Sequence, residues 1–408
     1  MIASLFLKFA SITAVLLASI QVTAAVVNDS STKIVNQGKN PRWKTLRLVH
    51  AVFRHGERTP ADTYPFDPYV NYTWKPYGWG QLTNVGKRHQ YEIGKFIRKR
   101  YNGFLDLLYS PEKVTFWSTD VDRTKMSAQL VAAALYKPVG TQQWHKRLDW
   151  QPIPIHAESL NEDQLLLVRK VCPRYHMERM KIMNSTLVRQ EFENYKNTFD
   201  YLSQNTGMVI QDLDDVQSIY STLKAEVSVS MAQIIDEDFG VSLPDWTSKV
   251  YPTKLAHITA RSFILNAYNE QMKKLKGGPL LKKILDDSKF KMTKNSNHQL
   301  YSYAGHDSTL ANLLITLGVW DEQIPTYNML ALLELHETVK GHFYFKVFLR
   351  NDTSLNPYRL TIPGCRESKC SIKHFEAIYQ NVLPKNLNEE CNCTTQQCVN
   401  IKILDKGP

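Results

Sequence analysis

Three times along this 408-residue chain an apolar, β-prone run ends in a short polar loop and is followed by a segment of helical periodicity. The first run is TLRLVHAVF, residues 45–53. The helix after it, in LTNVGKRHQYEIGKFIRKRY, places Val85, Ile93, Phe96, Ile97 and Tyr101 on one face, with Thr83 or Asn84 available as cap. The second run, VTFWS at 114–118, leads through TDVDR into a helix carrying Met126, Leu130, Ala133 and Ala134. The third, LYSYAG at 300–305, leads into a helix with Leu310, Leu313, Leu314 and Leu317 at spacings of three and four. Recurrence of this unit predicts an α/β fold, a mostly parallel central sheet flanked by helices, with functional residues where strand carboxyl ends meet helix amino ends. Two later runs, MLALLELH and HFYFKVFLR, are joined by a turn at Gly341 and predict an antiparallel pair. Between 144 and 252 the pattern is helical with few strand signals, which reads as an α-helical cap insertion. The α/β core would then comprise 43–143 and 253–400, with a tail over 401–408.

The amino terminus sets the expected compartment. After Lys8 the stretch Phe9 to Val22 is apolar and ends in VTAA, a pattern that predicts a cleaved signal peptide over 1–24. No later stretch approaches the roughly 20 apolar residues of a spanning helix, so no membrane anchor is expected. Lys plus Arg number 50 against 39 Asp plus Glu, a formal charge of +11 that invites an anionic partner. Nucleic acid is not the expected one, because Lys87, Arg88, Lys95, Arg98 and Arg100 read as the solvated face of an amphipathic helix. The six cysteines, Cys172, Cys365, Cys370, Cys391, Cys393 and Cys398, suit three disulfides in an oxidising lumen, with 15 connectivities open. Glycosylation triplets begin at Asn28, Asn71, Asn184, Asn351 and Asn392. A secreted or lysosomal location follows from these features together.

The loops after the three runs carry the reactive residues. The first reads RHGERTP, with Arg54, His55, Gly56, Arg58 and Pro60. The second, STDVDRTKMSA, holds Arg123, and the third, AGHDSTLA, holds His306 and Asp307. Each has a bland reading. Arg54 and Arg58 suit surface ion pairs, Arg123 a pair with Asp120 or Asp122, His306 a satisfied buried imidazole, and Asp307 a helix cap. Their common position at strand ends favours one shared site.

These elements, with GQLTNVGKRHQYEIGKFIRKRY and GGPLL at 277–281, resemble the histidine acid phosphatases, branch 2 of the histidine phosphatase superfamily. The resemblance covers most of residues 45–400 and is nearest to the insect venom type. It implies hydrolysis of phosphate monoesters, small molecules or phosphoproteins, through a phosphohistidine. His55 would be the nucleophile, Asp307 the proton donor, and Arg54, Arg58, Arg123 and His306 the phosphate clamp. The chemistry suits these residue types. A neutral imidazole can attack phosphorus, guanidinium forks bind phosphoryl oxygens bidentately, and a carboxylic acid can protonate the leaving oxygen in acid. Four cations and a helix amino terminus would nevertheless lower the Asp307 pKa, a tension that bound phosphate would relieve. No metal or other cofactor is expected, since the arginines supply the charge neutralisation. The resemblance further implies disulfides Cys172–Cys391 and Cys365–Cys370 and a homodimer; Cys393 with Cys398 would complete the set locally, where this sequence departs from the vertebrate pattern. Competing readings are the phytase branch, disfavoured by Ala61 after Pro60, a phosphoglycerate mutase, and a secreted protein that binds anions without turnover. His89, His145, His257 and His336 have no comparable context and stay unassigned.

Overall fold

The computed structural model describes residues 43–232, 241–293, 296–365 and 369–392. The expected signal peptide over 1–24, Asn28, Cys393, Cys398 and the tail 401–408 lie outside the described residues.

The strand β1 (Leu46–Arg54) is buried along its length except at Arg47. Covered on both faces, it reads as a continuous apolar run rather than an alternating one. Helix α1 (Asn84–Arg100) follows, capped by the Thr83 side chain, which accepts from the Gly86 N–H. Next come β2 (Val114–Ser118), α2 (Asp122–Leu135) and the two-residue β3 (Ile155–His156). Helices α3 (Pro173–Met183), α4 (Thr186–Thr206), α5 (Leu213–Ala232), α6 (Thr253–Asn266), α7 (Glu270–Lys276) and α8 (Gly278–Thr293) precede β4 (Leu300–Gly305) and α9 (Asp307–Thr316). The chain closes with β5 (Leu330–Glu337), β6 (Phe343–Arg350), β7 (Tyr358–Leu360), β8 (Cys370–Ser371), α10 (Ile372–Tyr379) and α11 (Leu387–Cys391).

The strands form one sheet in the order β3-β2-β4-β1-β5-β6-β7, with β8 also on β6. Its β3-β2-β4-β1 half is parallel, as the strand–loop–helix repeats require. The half from β5 onward is antiparallel and larger than the single pair expected, so the sheet is mixed rather than mostly parallel. The reason is length: β7 and β8 are three and two residues long, too short to show periodicity. On one face Ile93 and Ile97 of α1 and Tyr101, which caps its end, pack with Val131 and Leu135 of α2 over Phe116 of β2. Helices α8, α9 and α10 cover the other through Leu281, Ile284, Leu310, Leu314 and Phe375. Helices α4, α5 and α6 share a separate core of Phe199, Leu202, Val216, Ile219, Leu223 and Ile258, which Tyr64 from the loop after β1 joins.

Cys172, just before α3, is bonded to Cys391 at the end of α11, and Cys365 to Cys370. No helix among the described residues is long and apolar enough to cross a membrane.

Candidate active site

Parallel register brings the three loops to one place. Arg54 of β1 is level with Gly305 of β4, and Ser118 of β2 with Ala304, so β1, β2 and β4 end side by side. The His55 N–H then donates to the Gly305 carbonyl at 3.0 Å, tying the first loop to the third. The first loop is also pressed against α1. A Cβ on Gly56 would lie 2.5 Å from the Gly86 carbonyl oxygen, and one on Gly86 2.2 Å from that of Glu57. Both positions therefore need glycine for close backbone approach rather than for a special φ.

His55 is only 2% exposed. Its Nδ1 lies 2.8 Å from the Gly56 carbonyl oxygen, which can only accept, so Nδ1 carries the proton and Nε2 keeps its lone pair. Arg123 Nε donates to that Nε2 at 3.2 Å. Burial, then Arg123, Arg54, His306 and Arg58, hold the His55 pKa well below the usual imidazole value, so the ring stays neutral in acid. Arg123 does not pair with its neighbours Asp120 and Asp122, whose carboxylates face Lys125. Burial and then Arg58 push its own pKa down to about 10.

Arg54 donates to Asp307 Oδ2 at 2.8 Å and to the Pro325 carbonyl, over the Tyr327 ring. Arg58 donates to the Thr59 carbonyl, while its buried Nε has no hydrogen-bond partner. His306 Nε2 lies 3.0 Å from Thr119 Oγ1, and its ring meets that of His55 edge-on at 5.4 Å. Burial, followed by Arg123, keeps the His306 pKa well below its usual value, so it offers an N–H rather than the full charge anticipated for a protonated fourth donor. Asp307 is not the cap expected: His306 is the N-cap, in a capping box with Thr309, and Asp307, the first residue of α9, accepts the Ser308 N–H at 2.7 Å. Burial alone would raise its pKa; Arg54, then His306 and the Ser308 N–H, bring it below the usual carboxylate value.

All six residues line one cleft of about 2060 Å³ that extends past Arg169, Tyr175 and Lys276 along α3 and α4. Sequence reading missed Tyr327, whose ring lies 5.8 Å from that of His55, and Lys224 of α5, whose ammonium lies 5.4 Å from the Tyr327 ring. Burial and then Arg54 push Lys224 down to about 8. Neither carries a local motif. Among the described residues no group of three or more His, Cys, Asp or Glu side chains is placed to hold a metal ion.

The sequence model of the histidine phosphatase superfamily (branch 2) matches residues 45–347. Prostatic acid phosphatase of Rattus norvegicus is 37% identical over 357 residues, covering 86% of this chain and 90% of that protein. Lysosomal acid phosphatase of Homo sapiens is 33% identical over 358 residues, covering 86% and 81%. Among solved structures, a Hafnia alvei phytase in complex with myo-inositol hexakis sulphate aligns with a TM-score of 0.61 over 86% of this chain and 98% of that one. Its 17% identity makes this a likeness of fold. The family match spans all three strand–loop–helix units and the identity to the two phosphatases runs along most of the sequence, so the chain belongs to branch 2 of the histidine phosphatase superfamily.

Proposed function

We propose that the protein is an acid phosphatase in which His55 is the nucleophile, Asp307 the proton donor, and Arg54, Arg58, Arg123 and His306 the phosphate clamp. The observation that carries the reading is the state of His55, a buried neutral imidazole with Nδ1 locked to a carbonyl and Nε2 among three guanidinium groups. A phosphoryl group entering there brings the negative charge those cations lack, and the guanidinium N–H groups bind its oxygens.

Nε2 attacks phosphorus and the P–O ester bond breaks. The Asp307 carboxyl gives its proton to the departing oxygen, leaving a phosphohistidine and an Asp307 carboxylate. That carboxylate takes a proton from the incoming water, whose oxygen displaces His55 from phosphorus and releases phosphate. In the free site Asp307 is ionised and paired with Arg54. A bound phosphate dianion competes for Arg54 and adds like charge, and both effects raise the Asp307 pKa toward the acid range in which it can donate.

The reading includes secretion or lysosomal delivery after removal of residues 1–24, a homodimer, and the segment 144–252 as a helical cap over the cleft apart from β3, which pairs with β2 in the central sheet. Glycans would sit on exposed Asn71, Asn184 and Asn392, and on Asn28; Asn351 is half-buried with its amide donated to Gln323. The relatives named above are prostatic and lysosomal enzymes rather than venom ones, so the expected nearness to the insect venom type is corrected and venom as a place of action is not carried forward. The test is phosphate release from an aryl phosphate at pH 5 with and without chelator. Turnover unaffected by chelation supports the reading, whereas ligand binding without release, or activity lost to chelator and restored by zinc, counts against it.

A further inference from the structure

The residues behind Arg54 and His55 form a polar assembly that the proposed mechanism does not use. Glu57, two positions after His55, accepts both contacts of the Asn328 amide, at 3.0 Å to each carboxylate oxygen. The Asn328 oxygen accepts from Gln90 Nε2 at 2.7 Å, and the same Nε2 donates to the Arg54 carbonyl at 3.0 Å. Asn328 itself sits at φ +63°, next to Tyr327, and its N–H faces the His55 carbonyl at 3.4 Å. The left-handed region is unusual for a side chain other than glycine, and such backbone persists where surrounding contacts enforce it. Here those contacts are Glu57 and Gln90. The backbones of Arg54, His55 and Glu57 are thus held from α1 and from the loop before β5 at once.

One ionisable side chain closes the assembly from outside. His89 Nδ1, one turn into α1, lies 2.9 Å from Glu57 Oε1. We propose that Glu57, Asn328 and Gln90 are positioning residues for Arg54 and His55, and that His89 is a clamp on them that tightens when protonated.

The groups facing His89 agree on the direction. The hydrogen bond to Glu57 raises its pKa most; burial opposes this, Asp352 in the loop after β6 adds to it, and Arg88 opposes it. Burial would raise Glu57, but His89 and Asn328 outweigh it, so its carboxylate stays ionised in acid. At the acid pH where the phosphatase turns over, the contact is therefore an ion pair. As pH rises past the His89 pKa it becomes a neutral hydrogen bond, and its hold on the assembly weakens.

The inference rests on the phosphatase reading, so wild-type turnover is measured first. The ratio of wild-type to His89→Gln kcat is then followed from pH 4.5 to 9, since Gln keeps a donor for Glu57 but no charge. The expected ratio is about two- to fivefold in acid, what a partly exposed ion pair contributes, and falls to about one above the His89 pKa. His89→Lys, charged throughout, should track the wild type in acid. In an Asn328→Gly background, which keeps the left-handed backbone and removes the amide, His89→Gln should have no further effect. A ratio that is constant with pH, or full His89→Gln sensitivity in the Asn328→Gly background, overturns the inference. Absence of wild-type turnover overturns the function beneath it.

Discussion

Replacing Asp307 by Asn separates proton delivery from phosphate binding. The two side chains share a shape, and Asn keeps an oxygen for the Ser308 N–H, 2.7 Å away. It loses the proton and the charge that faces Arg54 at 2.8 Å. A positioned general acid is worth about 10²–10⁴-fold when the leaving group is a poor one. On an alkyl phosphate kcat/KM should therefore fall by roughly 10³-fold, the middle of that range. On p-nitrophenyl phosphate, whose leaving group needs little help, the first turnover should slow by less than about tenfold. The same residue activates water in the second step, so the phosphoenzyme should persist and nitrophenol should appear as a burst followed by slow release. With Asp307 neutral, Arg54 is freed for the phosphoryl group, and KM and the inhibition constant of phosphate should both fall. The lost ion pair is largely buried, Arg54 4% and the carboxylate 23% exposed, so leaving the guanidinium without its counter-charge should cost about 3 kcal/mol of stability. Stopped-flow nitrophenol release beside steady-state rates on glycerol 2-phosphate reads all of this. Equal losses on the two substrates, with no burst, would refute Asp307 as the proton carrier.

Two further outcomes follow from the packing. Gly86→Ala drives a Cβ to 2.2 Å from the Glu57 carbonyl oxygen, between two backbones that cannot yield cheaply; it should cost about 1–3 kcal/mol in thermal unfolding and reduce kcat by displacing the loop that carries His55. Glu226 of α5 is fully buried beside Asp67, and burial, then the Asp67 charge and a hydrogen bond with that carboxylate, raise it to about 8. The folded state then holds a proton that the unfolded chain has released above the ordinary carboxyl range. Stability should be full below that range and decline by about 1.4 kcal/mol per pH unit up to pH 8; Glu226→Gln should flatten this slope in a series of melting curves, and an unchanged slope would reject the assignment.

The layout of the site was legible because it is local. Arg54 ends β1; His55, Arg58, Arg123, His306 and Asp307 follow β1, β2 or β4 within five residues, and a parallel sheet aligns strand ends whatever the intervening chain does. The helix after β1 was likewise readable from periodicity, while the choice between Thr83 and Asn84 as its cap was decided only by the fold, in favour of Thr83. What escaped depends on contacts distant in sequence. Lys224 and Tyr327 lie about a hundred residues apart on unrelated elements, and nothing in either neighbourhood points at the other. His89 stayed unassigned because its partner Glu57 is 32 residues away and reaches it only through the packing of α1 on the loop. The charge state of His306 was also hidden, since burial and the field of Arg123 decide it.

The central claim is that phosphoryl transfer passes through His55, and specifically through Nε2, because Nδ1 is held by the Gly56 carbonyl. Rapid mixing with a good phosphomonoester at acid pH, quenched into alkali where phosphohistidine survives, followed by peptide mapping and ³¹P NMR, reads that bond directly. The account predicts one phosphoryl group per chain on Nε2 of His55, and none in a folded His55→Ala variant. Phosphate on Nδ1 or on another residue, or turnover with no phosphoenzyme and inversion at phosphorus, would contradict it.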